Sequence, residues 1–207
     1  MNEEGSAAGQ SVREVEYLAL GRQIATQVGR LQRGALANES WAVAALAQLR
    51  RGVGKDPGEL VELLEWTSPG VFVDADQSDE ITNEERAAHL ALTLYALHQQ
   101  GHSGNGMHRG SGESIGGAAR KLRAALGERG EDGVLRRFNA IGTATNPKEV
   151  ARHAQGLITQ LRAAAIPLDY ATFADDLRKL MDPSVAAGVR NRWGRHFHRY
   201  TPAKAKD

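Results

Sequence analysis

Through most of the chain from Arg13 to Tyr200, outside the stretches 67–81 and 101–117, the apolar residues return every three or four positions. That period lets an α-helix bury one face, whereas a half-buried strand needs a period of two. Between Arg13 and Leu31 the recurring positions are Val15, Leu18, Ile24, Val28 and Leu31, a first helix. A second is predicted over Trp41 to Leu49, N-capped by Asn38 and stopped by Gly52 just after Arg50 and Arg51. A third, short one is predicted from Pro57 through Leu60, Leu63, Leu64 and Trp66. Thr82 with Glu85 makes a capping box ahead of a buried helix through Ala88, Leu90, Leu94, Tyr95 and Leu97 that ends at Gly101. Further helices are predicted over Ala118 to Leu126, Val134 to Ile141 and Pro147 to Ala165, where Pro167 breaks the pattern. Asp169 caps another through Tyr170, Phe173, Leu177 and Leu180, and Asp182-Pro183 opens the last. Val71 to Val73 is the one strand-like segment. The expected fold is therefore all-α, a bundle of eight or nine helices in two packed sub-bundles.

The punctuation suggests how the chain is divided. Residues 1–12 read as a disordered lead and 13–100 as an N-terminal helical bundle. The run GHSGNGMHRGSGESIGG, residues 101–117, reads as a flexible Gly/Ser-rich loop, followed by a C-terminal bundle over 118–200 and a basic tail over 201–207. Thr67 to Ile81 is a connection with an acidic tip.

Several chemistries are excluded by what is missing. The chain has no cysteine, which rules out a disulfide framework, thiolate catalysis and cysteine zinc sites, and suits a reducing compartment. No apolar run reaches the length that spans a bilayer, and MNEEGSAAGQ is not a signal peptide, so a soluble cytoplasmic protein without membrane contact is expected. The glycine-rich stretch lacks both a GK[ST] ending and the GxGxxG spacing, so no nucleotide cofactor is assigned. His98, His102, His108, His196 and His198 lack metal-ligand spacing and read as surface or nucleic-acid-facing side chains, with no metal site. Ser103 is not in a GxSxG elbow, and adjacent Asp175 and Asp176 read as surface charge. Nothing in the chain points to an enzyme.

What remains is unevenly placed charge. The net charge is only +1, so affinity for a polyanion must come from clustering. Asp74 to Glu85 holds six acids and no base. The bases gather instead at Arg50, Arg51 and Lys55, at Arg120, Lys121 and Arg123, at Arg136 and Arg137, and along the last helix. There Val189, Trp193, Phe197 and Tyr200 form an apolar stripe beside Arg192, Arg195 and Arg199. A solvated face accounts for any one such cluster, but four in a nearly neutral chain suggest a surface for phosphate backbone. Arginine forks bind phosphates without regard to base identity.

Five blocks carry a family resemblance: LAQLRRGVGK (Leu46 to Lys55), AHLALTLYALHQQ (Ala88 to Gln100), RRFNAI (Arg136 to Ile141), AAAIPLDYATFADDL (Ala163 to Leu177) and RNRWGRHFHRY (Arg190 to Tyr200). In their order and spacing the chain resembles the small subunit, CasB, of the type I-E CRISPR Cascade surveillance complex. The resemblance implies an all-helical, non-enzymatic protein in two small bundles, present as two copies beside the backbone and large subunits. It implies contact with the crRNA-target region and with the displaced non-target single-stranded DNA, which stabilises the R-loop. By position it implies nucleic-acid roles for Arg50, Arg51, Arg86, Arg120, Lys121, Arg136 and Arg137, with Arg192 and Arg195 beside them. Gly117 stands where the family usually has a base, and His196 where an acid is common. The competing expectation is a helical adaptor for protein partners only, its arginines paired with the acids of Asp74 to Glu85.

Overall fold

The computed structural model describes residues 17–68, 80–144 and 146–199, and of 128–131 the backbone alone. These residues form nine α-helices and no strand: α1 (Ala19–Leu36), α2 (Ser40–Arg51), α3 (Leu64–Thr67), α4 (Asn83–Gln99), α5 (Ile115–Leu126), α6 (Glu128–Thr143), α7 (Pro147–Ala163), α8 (Tyr170–Leu180) and α9 (Ala186–Phe197). The all-α expectation holds. Residues 1–12, Val71 to Val73, most of the acidic tip, Tyr200 and the basic tail lie outside the described residues.

The bundle is built around α4. Every residue from Ala87 to Ala96 is buried, because α1, α2, α3, α7 and α8 all pack on it. A helix apolar on all sides belongs in a core. Its start is set by the expected capping box: Glu85 N donates to Thr82 Oγ1 at 3.2 Å and Thr82 N donates to Glu85 Oε2 at 2.8 Å. One continuous core draws on both sides of the glycine-rich stretch, since α8 packs on α1 and α4 as well as on α9.

α1 has no side-chain cap of its own. Asp175, reaching over from α8, accepts from Leu18 N at 2.9 Å and Gly21 N at 2.8 Å and so caps α1 across 154 residues of chain. Gly21 makes room for it, because a Cβ there would lie 2.4 Å from Asp175 Oδ2. Next along α8, Asp176 accepts from Trp193 Nε1 at 2.6 Å and pairs with Arg192, tying α9 down. These two aspartates are 6% and 1% exposed, so the surface-charge expectation is overturned. Burial pushes the Asp175 carboxyl up in pKa, while its two backbone N–H donors pull the other way.

Several boundaries move for local reasons. Asn38 is not the N-cap of α2; it adopts φ 56 just beyond α1, a conformation asparagine tolerates, and the helix starts after Glu39. Gly52 does follow α2, but with an ordinary φ of −81. It is glycine because a Cβ would lie 2.5 Å from Leu63 Cδ1 and 2.9 Å from Thr93 Cγ2. Pro57 opens no helix; a 3-10 turn at Val61–Leu63 leads into α3. Asp182 accepts from Ser184 N at 2.9 Å in a turn, which delays α9 to Ala186. Asn146, accepting from Glu149 N at 3.0 Å, caps α7 ahead of Pro147.

The stretch 101–117 ends as a loop at Ser114, where α5 takes over at Ile115. What precedes is anchored by side chains from the helix before it, from α1 and from the cap of α8. Gln99 Oε1 accepts from Met107 N at 2.9 Å, and Gln32 both accepts from His108 N at 2.8 Å and donates to His108 O at 3.2 Å. Asp169 caps α8 through Ala171 N and Thr172 N, and its other oxygen accepts from Gly112 N at 2.6 Å and from Tyr17 Oη at 2.9 Å.

The histidines of this region are not surface groups. His98 is fully buried, 2.9 Å from Tyr170 Oη, whose ring meets Tyr95 edge-on at 5.3 Å. His108 Nδ1 accepts from Tyr170 N at 3.1 Å, which places its proton on Nε2. Burial lowers the pKa of His89, His98 and His108, that of His98 to about 3.

Two outcomes are expected in urea denaturation. Gly21→Ala should lose about 2 kcal/mol by breaking the Asp175 cap. Gly29→Ala on the same helix, where a Cβ would meet only the end of Arg33 at 3.4 Å, should gain about 0.5 to 1 kcal/mol. Equal effects at the two glycines would refute the capping account. For pH, the unfolded chain takes up a proton on each histidine that the folded chain refuses, so this stability is complete above about pH 6.5 and is lost as pH falls towards 3. Asp175, with its raised pKa, works in the opposite sense. A single histidine such as His98 should cost about 2 kcal/mol between pH 7.5 and pH 5, and the pH dependence should flatten in His98→Gln.

Candidate nucleic-acid interface

α7 buries Val150, Ala154, Leu157, Ile158 and Leu161 and turns the opposite face outward. That face carries Lys148, Arg152, Gln155, Thr159 and Arg162, spaced four, three, four and three, and so aligned along one side of the helix. Other basic residues converge on it. Lys55 and Arg86 share a cleft of about 300 Å³ with Lys148 and Arg152. Arg50 comes near Arg162: its guanidinium pKa is lowered by burial and, after that, by the charge of Arg162. Arg137 lies over Gly156, its Nε 3.3 Å from the position a Cβ there would take.

Three carboxylates pair with cations at this face, Glu59 and Glu62 exposed and Asp56 half-buried. Asp56 sits between Lys148 at 3.0 Å and Arg86 at 3.9 Å, Glu59 is 3.7 Å from Lys55, and Glu62 is 3.3 Å from Arg51. Such pairs contribute only about 0 to 1 kcal/mol each in water, so a phosphate can replace the carboxylate at little cost. Arg136 and Arg137 are exposed and make no ion pair among the described residues.

A second basic cleft, about 680 Å³, lies between α5, α9 and the loop before α5. Arg120, Lys121 and Arg199 line it, joined by Arg109 and His196. His196 Nδ1 is 2.8 Å from Ser114 Oγ, and burial and then the charges of Arg199 and Arg192 lower its pKa. Arg123 sits 5.7 Å over the Phe197 ring, which stacks on Phe138 at 4.6 Å. Arg195 is exposed, whereas Arg192 is committed to buried Asp176.

Of the expected basic residues, Lys55 and Arg86 line the cleft by α7, with Arg50 near Arg162 and Arg137 over Gly156, and Arg120, Lys121 and Arg199 line the cleft by α5 and α9, whereas Arg51, Arg123, Arg136, Arg192 and Arg195 line neither. Lys148, Arg152, Arg162 and Arg109 escape the sequence reading, since none has a lysine or arginine beside it in the chain. The signal was present in α7 as a helical spacing of bases. Among the described residues Glu84, at the end of the acidic stretch, pairs with Arg178, while Arg51, Lys55, Arg86, Lys121 and Arg192 pair with Glu62, Glu59, Asp56, Glu113 and Asp176; Asp74, Asp76 and Asp79 lie outside the described residues. Among the described residues no group of three His, Asp or Glu side chains could hold a metal, and no helix is long and apolar enough to cross a membrane.

The crystal structure of CasB from Thermobifida fusca superposes with a TM-score of 0.72 at 34% identity, over 88% of this chain and 99% of that one. Residues 45–198 match the family described as CRISPR-associated protein Cse2. The chain belongs to that family and is a type I-E Cascade subunit, a structural component that associates with other Cascade subunits. No curated protein matches the sequence.

The split between structural and solvent-facing arginines on α9 can be measured. Arg192→Ala, which strands a buried carboxylate, should cost about 2 kcal/mol in urea denaturation. Arg195→Ala should stay within about 0.5 kcal/mol. A neutral Arg192→Ala would mean that Trp193 alone satisfies Asp176.

Proposed function

We propose that this Cascade subunit is a non-catalytic, cytoplasmic clamp on nucleic-acid backbone. It holds the crRNA-target region and the displaced non-target strand and so stabilises the R-loop, with a second copy of itself beside the backbone and large subunits. The observation that carries this reading is the convergence of Arg50, Lys55, Arg86 and Arg137 with Lys148, Arg152 and Arg162 around one helix face. Cations fixed by separate helices around a groove track a phosphate chain and ignore base identity. With four phenylalanines, four tyrosines and three tryptophans in the whole chain, and much of that set in the core, base stacking adds little.

The energetics suit the role. R-loop formation exchanges one duplex for another of similar stability, so modest backbone contacts tip it. Among the described residues several of these cations, such as Lys55, Arg51 and Lys148, sit in weak solvent-facing pairs, which leaves them available without a large desolvation cost.

The test is binding of the purified chain to labelled single-stranded and double-stranded DNA across a salt series, beside Arg136→Ala/Arg137→Ala and Arg152→Ala. Weak, sequence-blind binding is expected, with log affinity falling against log salt by roughly 0.7 per neutralised phosphate on single strands. Each variant should weaken it severalfold. A folded protein that binds neither DNA at low salt would favour the adaptor for protein partners.

A further inference from the structure

The cleft between α5 and α9 is not empty of anions, because the chain supplies one. Glu113, the residue before the N-cap of α5, points its carboxylate into the cleft and pairs with Lys121 at 2.5 Å. Its side chain is 21% exposed against 49% for Lys121, so the carboxylate is the more enclosed partner. It lies directly over Gly117: a Cβ there would be 2.7 Å from Glu113 Oε1 and 2.8 Å from its Cγ. Around this one carboxylate stand Arg109, Arg120, Lys121 and Arg199, with His196 near enough to feel both Glu113 and Arg199. Among the described residues that line it, Arg109, Arg120, Lys121 and Arg199 outnumber the one carboxylate, and at about 680 Å³ the cleft has room for more than a carboxylate.

We infer that this cleft is a phosphate-binding site of the nucleic-acid clamp and that Glu113 is its built-in competitor, a carboxylate that holds Lys121 until a backbone phosphate displaces it. The inference rests on the backbone-binding reading above and adds the regulation of one of its sites. The chemistry is a substitution of one oxyanion for another. A phosphodiester offers the same anionic oxygens to Lys121 and can be reached by the arginine forks from the solvent side. The outgoing carboxylate swings into water, which the exposed flank of the pair permits. The contact therefore lowers affinity for backbone and disfavours stray polyanions that engage this cleft alone. A strand held at the α7 face as well is supplied at high local concentration and outcompetes Glu113.

Two substitutions remove the competitor by different means. Glu113→Gln deletes its charge. Gly117→Ala leaves every charge in place but puts a methyl group where the Glu113 side chain rests, which pushes that flexible chain aside while improving helix propensity. Glu65→Gln, an exposed acid on α3, makes the same change in net charge elsewhere. Binding of the full chain to a labelled oligothymidylate at low salt should tighten about three- to fivefold in both Glu113→Gln and Gly117→Ala, the range that loss of an exposed pair allows. Glu65→Gln should change it less than about twofold. The gain should vanish when Arg120→Ala/Arg199→Ala is added.

If the two variants bind no tighter than Glu65→Gln while Arg120→Ala/Arg199→Ala weakens binding, the cleft holds backbone but Glu113 does not compete. If Arg120→Ala/Arg199→Ala binds like the parent while Arg136→Ala/Arg137→Ala loses affinity, the cleft is not a phosphate site and the clamp works through α7. Absence of binding in every variant would overturn the clamp and this inference together.

Discussion

Three buried carboxylates on one short helix hold distant parts of this chain together. Asp169, Asp175 and Asp176 belong to α8 or its cap, and between them they fix the start of α1, the loop before α5 and the aromatic anchor of α9. A carboxylate removed from water must recover its lost hydration through hydrogen bonds. Asp169 and Asp175 do so with backbone N–H groups at helix starts, where the donors would otherwise lack partners. Asp176 does so with an indole and an arginine. The same bonds that keep the charges tolerable fix the relative positions of α1, α8 and α9.

That arrangement places the basic surfaces. α9 brings Arg199 and His196 against α5 only because Trp193 is fastened beneath them, and the loop brings Arg109 and Glu113 to the same cleft because Gln32, Gln99 and Asp169 hold it. The α7 face has a different support: its apolar side packs on α4 and α6, which leaves its basic side in water next to the end of α2. A chain with almost no net charge thus presents concentrated positive potential, because part of its negative charge is buried as structural carboxylates.

Much of this was legible beforehand and some was not. The capping box at Thr82 and Glu85, the Asp169 cap and the helix opened by Pro147 are signals within four residues of chain, and each appears where it was expected. Asp175 and Asp176 were misread because their partners, Leu18, Gly21 and Trp193, lie between 17 and 157 residues away. Gly52 and Gly21 were legible only as punctuation or small residues, since the Leu63 and Asp175 atoms that exclude a Cβ come from other elements. The α7 bases were missed for want of a helical projection.

The amino-acid sequence by itself determined the all-helical class and the local starts of several helices, because apolar period and capping act over a few residues. It also carried the blocks by which the family can be known. Tertiary structure alone decided which acids are buried braces and which cations share a cleft. The reason is physical: a charge's role depends on its solvent exposure and its nearest opposite charge, and both are set by elements that meet only when the chain folds.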